Sequence, residues 1–199
     1  MVVIHDETLE RTTNGTGNVA DFAIKELQAF DAGQGQAIPT LREVLEAIPT
    51  HITLFIEIKD PSPRSLTFLA EDLQWAKESL EWDSKNLVCI SFYWEALRTL
   101  RAQNTEIALG VSYLAQMAEQ DLSGIGKMDY KAVITMVQAL NAAHIVPNIE
   151  DISQEIIEYW RMHSVAEIHC WTVREMQQKQ KATLLALDGI MCDDVVKFL

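Results

Sequence analysis

The sequence predicts an α/β protein built on a parallel sheet. Three observations predict it. Short, nearly continuous apolar runs recur along the chain, amphipathic segments of helical spacing separate them, and no repeat, low-complexity tract or long Gly/Ser linker interrupts the alternation. Strand-like runs alternating with helical patterns mark βαβ units. A strand covered on both faces loses the polar alternation of a half-exposed one and reads as a continuous apolar run.

The runs are TLFIEIK (53–59), LVCISF (87–92), EIALGVSYL (106–114), HIVPNI (144–149), AEIHCWTV (166–173) and DGIMCD (188–193). Each is rich in Val, Ile, Cys and aromatic residues, which suit a pleated, buried surface. Ahead of the first, TLREVLEAI places Leu41, Val44, Leu45 and Ile48 on one face, and Thr40 with Glu43 three residues on forms a capping box. Residues 64–80 carry Leu66, Leu69, Leu73, Ala76 and Leu80 at spacings of three and four. Residues 128–143 group Val133, Met136, Val137 and Leu140, and residues 153–163 group Ile156, Ile157 and Trp160. These are helices with one buried stripe. Six strands make either an open doubly wound sheet or three quarters of an eight-stranded barrel. No G-x-G-x-x-G follows any run. Glu57 and Lys59, Ser91, Asn148, Thr172 and Asp193 lie at or near the carboxyl ends of their runs, where barrels and open α/β sheets collect their chemistry. That placement leans toward the barrel.

At 199 residues, with 48% hydrophobic and 23% charged residues, the chain has ordinary globular composition and reads as one domain. A net charge of −13 argues against nucleic acid and against a polybasic membrane anchor, both of which need a surplus of Lys and Arg. A small anionic substrate remains compatible, given a local metal or a placed lysine. No apolar run approaches the ~18 residues of a transmembrane helix, and no segment resembles a signal peptide. Cys89, Cys170 and Cys192 lack C-x-x-C spacing and sit in apolar runs. They read as buried reduced thiols, which favours a cytoplasmic setting. Nothing in the sequence bears on oligomeric state.

Glu57 and Lys59 are the sharpest local signal. Alternation puts Phe55, Glu57 and Lys59 on one face, opposite Leu54, Ile56 and Ile58. A carboxylate in an apolar strand loses hydration unless a charge or hydrogen bond meets it. Either a lysine or arginine simply pairs with Glu57, or Glu57 is a metal ligand beside a phosphate-facing Lys59. His5-Asp6 ends the first apolar run, and a lone histidine there is ordinarily structural or superficial. His51, His144, His163 and His169 show no i, i+4 spacing, so local sequence builds no multi-histidine zinc site. TTNGTG (12–17) offers backbone N–H groups to a phosphate but lacks a P-loop lysine, and Asn14-Gly15 is a tight-turn signal. Turn is the preferred reading. Trp171 either lines a pocket or packs under helices, and Ser91-Phe92 is either pocket or core. No G-x-S-x-G and no Cys/His nucleophile pattern is present.

Taken in order, VVIHDETLERTTNGTG (2–17), LQAFDAG (27–33), IPTLREVL (38–45), IEIK (56–59), SFYWEALRTLR (91–101), IHCWTVREMQ (168–177) and DGIMCDD (188–194) resemble the glycerophosphodiester phosphodiesterase family. The likeness covers essentially the whole chain. It implies a TIM (β/α)8 barrel of the phosphodiesterase type, here lacking the first two strands and first helix. Residues 1–35 would be the insertion loop region and 36–199 barrel strands three to eight with their helices. It implies that His5 is one of two catalytic histidines, that Glu57 is a ligand of calcium or magnesium, and that Lys59 faces the phosphate. Trp171 would border the glycerol pocket, with Phe92 and Asn148 as further substrate-binding candidates.

The implied reaction is metal-dependent hydrolysis of glycerophosphodiesters to glycerol 3-phosphate and an alcohol. One histidine takes a proton from the attacking hydroxyl and the other protonates the leaving oxygen. The family's opening His-Arg strand and Glu-x-Asp strand have no counterpart here. Met1 is therefore expected to be an internal or truncated start, and this chain alone is expected to be impaired. The competing expectation is a catalytically dead barrel serving as a binding or interaction module. A phospholipase-D-type or phosphatidylinositol-specific relative ranks lower, because LERTTNGTG fits neither insertion.

Overall fold

Six parallel strands pair in sequence order: β1 (Leu54–Glu57), β2 (Leu87–Ser91), β3 (Ala108–Tyr113), β4 (His144–Pro147), β5 (Glu167–Cys170) and β6 (Gly189–Ile190). The structure is a computed structural model that describes residues 1–103, 106–115 and 128–198. All six predicted strands are present, each shorter than its apolar run. The helices are α1 (Ile24–Leu27), α2 (Leu41–Ala47), α3 (Pro63–Leu80), α4 (Trp94–Ala102), α5 (Tyr130–Leu140), α6 (Gln154–His163) and α7 (Met176–Leu184). The chain divides into two compact units. One comprises Met1–Ile52 with Ser62–Asn86, the other Thr53–Pro61 with Leu87–Leu199.

The second unit holds the whole sheet. Its register sets Glu57, Ile90, Gly110, His144 and Glu167 in a single row. That row begins at the last residue of β1 and ends at the first residue of β5. Such a stagger is the shear that tilted barrel strands require. The sheet also curls: the Phe55 ring on β1 meets His144 on β4 and His169 on β5, each at 5.2 Å between centroids. A flat sheet keeps strands three apart about 14 Å from each other. The barrel expectation therefore holds over the open doubly wound sheet. Six strands supply six of its eight staves, and β1 and β6 have one sheet neighbour each among the described residues.

Outward-facing Leu87, Cys89, Leu109, Val111, Ile145, Ile168 and Cys170 are all buried. The helices of this unit turn Leu97 and Leu100 (α4), Val133 and Val137 (α5) and Ile157 and Trp160 (α6) into the interior. Trp160 is fully buried and donates its indole N–H to the Tyr130 carbonyl at 2.8 Å. Coverage on both faces holds for β2 and β4, buried throughout, and for β3 beyond Ala108. It fails for β1 and β6, which are half-buried along their length because each has a neighbour on one side only.

Helices α4 and α7 lie outside the expected helical segments, although α4 buries Ala96, Leu97 and Leu100 at helical spacing. Segment α7, MQQKQKATL, buries Ala182 alone, so it carries no stripe to read. Its start is set instead by Gln178, whose side-chain oxygen accepts from the Glu175 N–H.

The first unit has a buried cluster of its own. Leu9, Leu27 and Ile38 are buried together, with Val2, Ile4, Val19, Phe22 and Phe30 against them. The predicted capping box at α2 forms, with Thr40 Oγ1 accepting from the Glu43 N–H and Glu43 accepting from the Thr40 N–H. Helices α2 and α3 pack together, and Trp82, nearly fully buried, donates to the Leu45 carbonyl.

Candidate functional site

The inner face of the sheet carries the candidate chemistry. Glu57 ends β1, and its carboxylate oxygen Oε1 lies 2.8 Å from Lys59 Nζ. Alternation had placed the two side chains together, and they meet. Each keeps about a third or less of its surface, 26% for Glu57 and 35% for Lys59, so both can still reach a ligand.

Trp171 follows β5 and faces inward two residues beyond His169. Its indole N–H donates to the Val146 carbonyl, and its ring meets Phe92 edge to face at 5.5 Å. Of the Ser91-Phe92 pair, Ser91 is core: fully buried, its hydroxyl donates to the Ile58 carbonyl and accepts from the Tyr93 N–H. Phe92 is half-buried and packs edge to face on Trp171. Asn148 bridges to Trp171 through the backbone, while its side-chain oxygen accepts from the Glu150 N–H. That bond gives Asn148 a structural duty as the cap of a short turn.

His5 belongs to the first unit, at the start of a loop. Its Nδ1 lies 2.7 Å from Asp6 Oδ1, and Arg11 grips the same carboxylate through Nε and Nη2 at 2.5 and 2.7 Å. The guanidinium, then the imidazole, hold the Asp6 carboxyl well below the usual carboxylate range. A carboxylate on Nδ1 fixes the orientation and the tautomer of an imidazole. TTNGTG lies in a loop that the Leu9 N–H closes onto the Gly17 carbonyl; the turn itself falls at residues 10–12, and Gly17, not the expected Asn14-Gly15 pair, takes the positive φ, 107°. Its Gly15 N–H binds Thr13 Oγ1, its Gly17 N–H binds Glu10 Oε1, and Asn14 exchanges hydrogen bonds with Asp31. Those donors are consumed internally, which leaves no phosphate cradle.

Sequence reading missed one cluster. His144 opens β4, and Glu167 and His169 lie on β5, all facing inward. Glu167 Oε2 is 3.1 Å from His169 Nε2 and 3.6 Å from His144 Nδ1. One ligand atom from each falls within 4.8 Å of the others, the one such group of three among the described residues. Helical i, i+4 spacing could not reveal it. Parallel pairing brings together residues about twenty-five apart in sequence. The usable signal was an inward imidazole at the start of one strand and Glu-x-His on the next. Burial, followed by the neighbouring His169, pushes the His144 imidazole below its ordinary pKa.

The cysteines are all free. Cys89 and Cys170 are buried, and burial pushes their thiols up to about 12 and about 11. Cys192 is only half-buried, because β6 lies at the end of the sheet. No described helix is long and apolar enough to cross a membrane.

A staggered parallel sheet with Glu57, Lys59 and Trp171 near its strands' carboxyl ends is the frame of a (β/α)8-barrel enzyme. The comparisons specify which kind. The profile of the glycerophosphoryl diester phosphodiesterase family matches residues 1–197. A glycerophosphodiester phosphodiesterase of Caldanaerobacter subterraneus subsp. tengcongensis is 30% identical over 203 residues, spanning 98% of this chain and 76% of that protein. One from Bacillus altitudinis is 26% identical, spanning 97% and 77%. Among solved structures, an Oleispira antarctica phosphodiesterase in complex with the product sn-glycerol-3-phosphate superposes with a TM-score of 0.76 at 22% identity, covering 96% of this chain and 75% of that one. The Thermotoga maritima glycerophosphodiester phosphodiesterase gives 0.70 at 22% identity, covering 99% and 77%. The chain belongs to the glycerophosphoryl diester phosphodiesterase family, a family of phosphoric diester hydrolases. It offers a divalent cation two kinds of donor: the lone carboxylate of Glu57, and the mixed nitrogen and oxygen set of His144, Glu167 and His169.

Proposed function

We propose that this chain acts on glycerophosphodiesters, adding water across a P–O bond to release glycerol 3-phosphate and an alcohol. The observation that carries the reading is the Glu57–Lys59 pair on the inner face at the carboxyl end of β1. A phosphodiester is a small anion, and the chain is otherwise strongly acidic, so a placed ammonium is what such a substrate needs. Lys59 holds a non-bridging phosphate oxygen and opposes the negative charge that builds during reaction. Trp171 and Phe92 give the glycerol carbons an apolar edge. Asn148 contributes through the loop it caps. His5 performs one of the two proton transfers, with Asp6 as the positioning residue that holds its Nδ1 side.

Glu57 suits magnesium or calcium because a hard cation takes carboxylate oxygens, and magnesium in particular binds through one or two carboxylates plus substrate phosphates and water. When bound, that ion neutralises phosphoryl charge and orients the diester. A single carboxylate binds it weakly, and a single histidine serves the two proton transfers poorly. The 199-residue chain by itself is therefore a slow catalyst. In this reading residues 1–35 are the insertion loop region and 36–199 are barrel strands three to eight with their helices. Three free cysteines suit a reducing, cytoplasmic setting.

The test is product binding and residual turnover. Glycerol 3-phosphate binding in magnesium is followed by calorimetry, and hydrolysis of glycerophosphocholine by choline release. Glu57→Gln and Lys59→Met are each expected to weaken product binding by about 10- to 10²-fold, the scale of one hydrogen bond to a charged group. His5→Ala is expected to leave product binding intact and abolish residual hydrolysis. Product binding that ignores both substitutions overturns the reading. Binding with no hydrolysis under any metal identifies a non-catalytic module instead.

A further inference from the structure

The cluster formed by the opening residues of β4 and β5, His144 and Glu167, with His169 two residues on, takes no part in the chemistry above. We propose that His144, Glu167 and His169 form a separate binding site for a borderline divalent transition ion of the zinc class. Three observations support it. The first is donor chemistry: two imidazole nitrogens and one carboxylate oxygen suit zinc and its neighbours, whereas magnesium and calcium take oxygen shells.

The second is geometry. Ligand atoms about 2.0–2.1 Å from a tetrahedral zinc stand about 3.3 Å apart. The 3.1 Å and 3.6 Å separations from Glu167 Oε2 bracket that spacing, and all three atoms fall within 4.8 Å. The third is an unmet polar atom. His144 is only 7% exposed, and its Nδ1 is buried without a hydrogen-bond partner. At 3.6 Å the Glu167 oxygen is too far to be one. Buried imidazole nitrogens are ordinarily satisfied, and this one points at a carboxylate already shared with a second imidazole.

The surroundings complete the site. Gly110 and Gly189 are the register partners of His144 and His169, and the absence of side chains there makes room for both rings. A Cβ on Gly189 would stand 2.3 Å from His169 Nδ1. Phe55 packs on both imidazoles and fixes their planes. Glu167 is 60% exposed in its side chain, which provides the entry path and leaves a fourth position open to water. Trp171 lies two residues further along β5, about 7 Å, with buried Val88, Ile90 and Val146 forming the apolar layer it packs against. The ion would clip β4 to β5 and would leave the Glu57–Lys59 end to the diester.

The experiment titrates the metal-stripped 199-residue chain with cobalt(II), read by its visible ligand-field bands, and with zinc by competition calorimetry. One equivalent per chain and the intense bands of low-coordinate cobalt are expected. His144→Ala and His169→Ala should each cost at least the roughly 10–100-fold that loss of an outer-shell partner costs. Glu167→Ala, at an exposed position where folding is safe, should do the same. Gly189→Ala should weaken binding by displacing the His169 ring alone. Glu57→Gln, Cys192→Ser and excess magnesium should leave it unchanged. Absence of stoichiometric binding, survival of binding in Glu167→Ala and His169→Ala, or its loss in Cys192→Ser would overturn the proposal. None of these readouts uses a diester, so they stand apart from the test of the phosphodiesterase reading.

Discussion

Gly110 sits at the centre of the sheet, and replacing it with alanine pits two effects against each other. Glycine in a strand costs backbone entropy, so Gly→Ala alone would stabilise by roughly 0.5–1 kcal/mol. The added Cβ, however, points to the inner face. There it would meet Ile90 Cγ2 at 2.8 Å, His144 Cβ at 3.2 Å and Val146 Cγ2 at 3.3 Å, against about 3.5–4.0 Å for a relaxed carbon contact. None of the three can swing away. Ile90 and Val146 are β-branched and stiff about χ1, both are buried, and the His144 atom is the Cβ itself, fixed to the backbone. Relief must come from moving β2 or β4, and overpacking of that kind costs about 1–3 kcal/mol. The net expectation is a loss of about 1–2 kcal/mol. For a chain of this size that lowers Tm by roughly 2–8 °C. Urea unfolding should show a lower midpoint with an unchanged slope. A Gly110→Ala protein as stable as its parent, or more so, would refute the argument and with it the curled, filled inner face on which the barrel assignment stands.

Two further predictions concern titration and reactivity. Asp6 is depressed in the folded state by Arg11 and His5, so its contribution to stability is present above its unfolded pKa of about 3.9 and is lost as pH falls toward the folded value. NMR of the Asp6 carboxyl carbon should find titration well below the usual range, moving up toward ~3.9 in Arg11→Met; no movement would mean that the fork of hydrogen bonds is not formed in solution. Under native conditions a thiol reagent should label Cys192 first, with Cys89 and Cys170 following only on unfolding, because burial both hides those thiols and disfavours their thiolates. Equal labelling rates for the three would contradict the packing of β2 and β5.

Much of this protein is written in local sequence. The six strands, helix α2 with its Thr40/Glu43 box and the Glu57–Lys59 pairing are all consequences of period, capping and alternation, which act over a few residues and need no knowledge of the partner. The ordered motifs from His5 to Asp194 also placed the chain in its family. Helix α7 was illegible, because it buries one alanine and leaves no stripe.

Tertiary structure alone decided the rest. Whether parallel strands lie flat or curl depends on stagger summed over neighbours, and no strand carries its own register. The row from Glu57 to Glu167 exists only once five strands have paired. That pairing brings Phe55 against His144 and His169, buries Ser91 while leaving Phe92 half-buried against Trp171, and assembles a donor cluster from two strands. Contacts between residues far apart in sequence are set by the packing of whole elements, and local pattern carries no record of them.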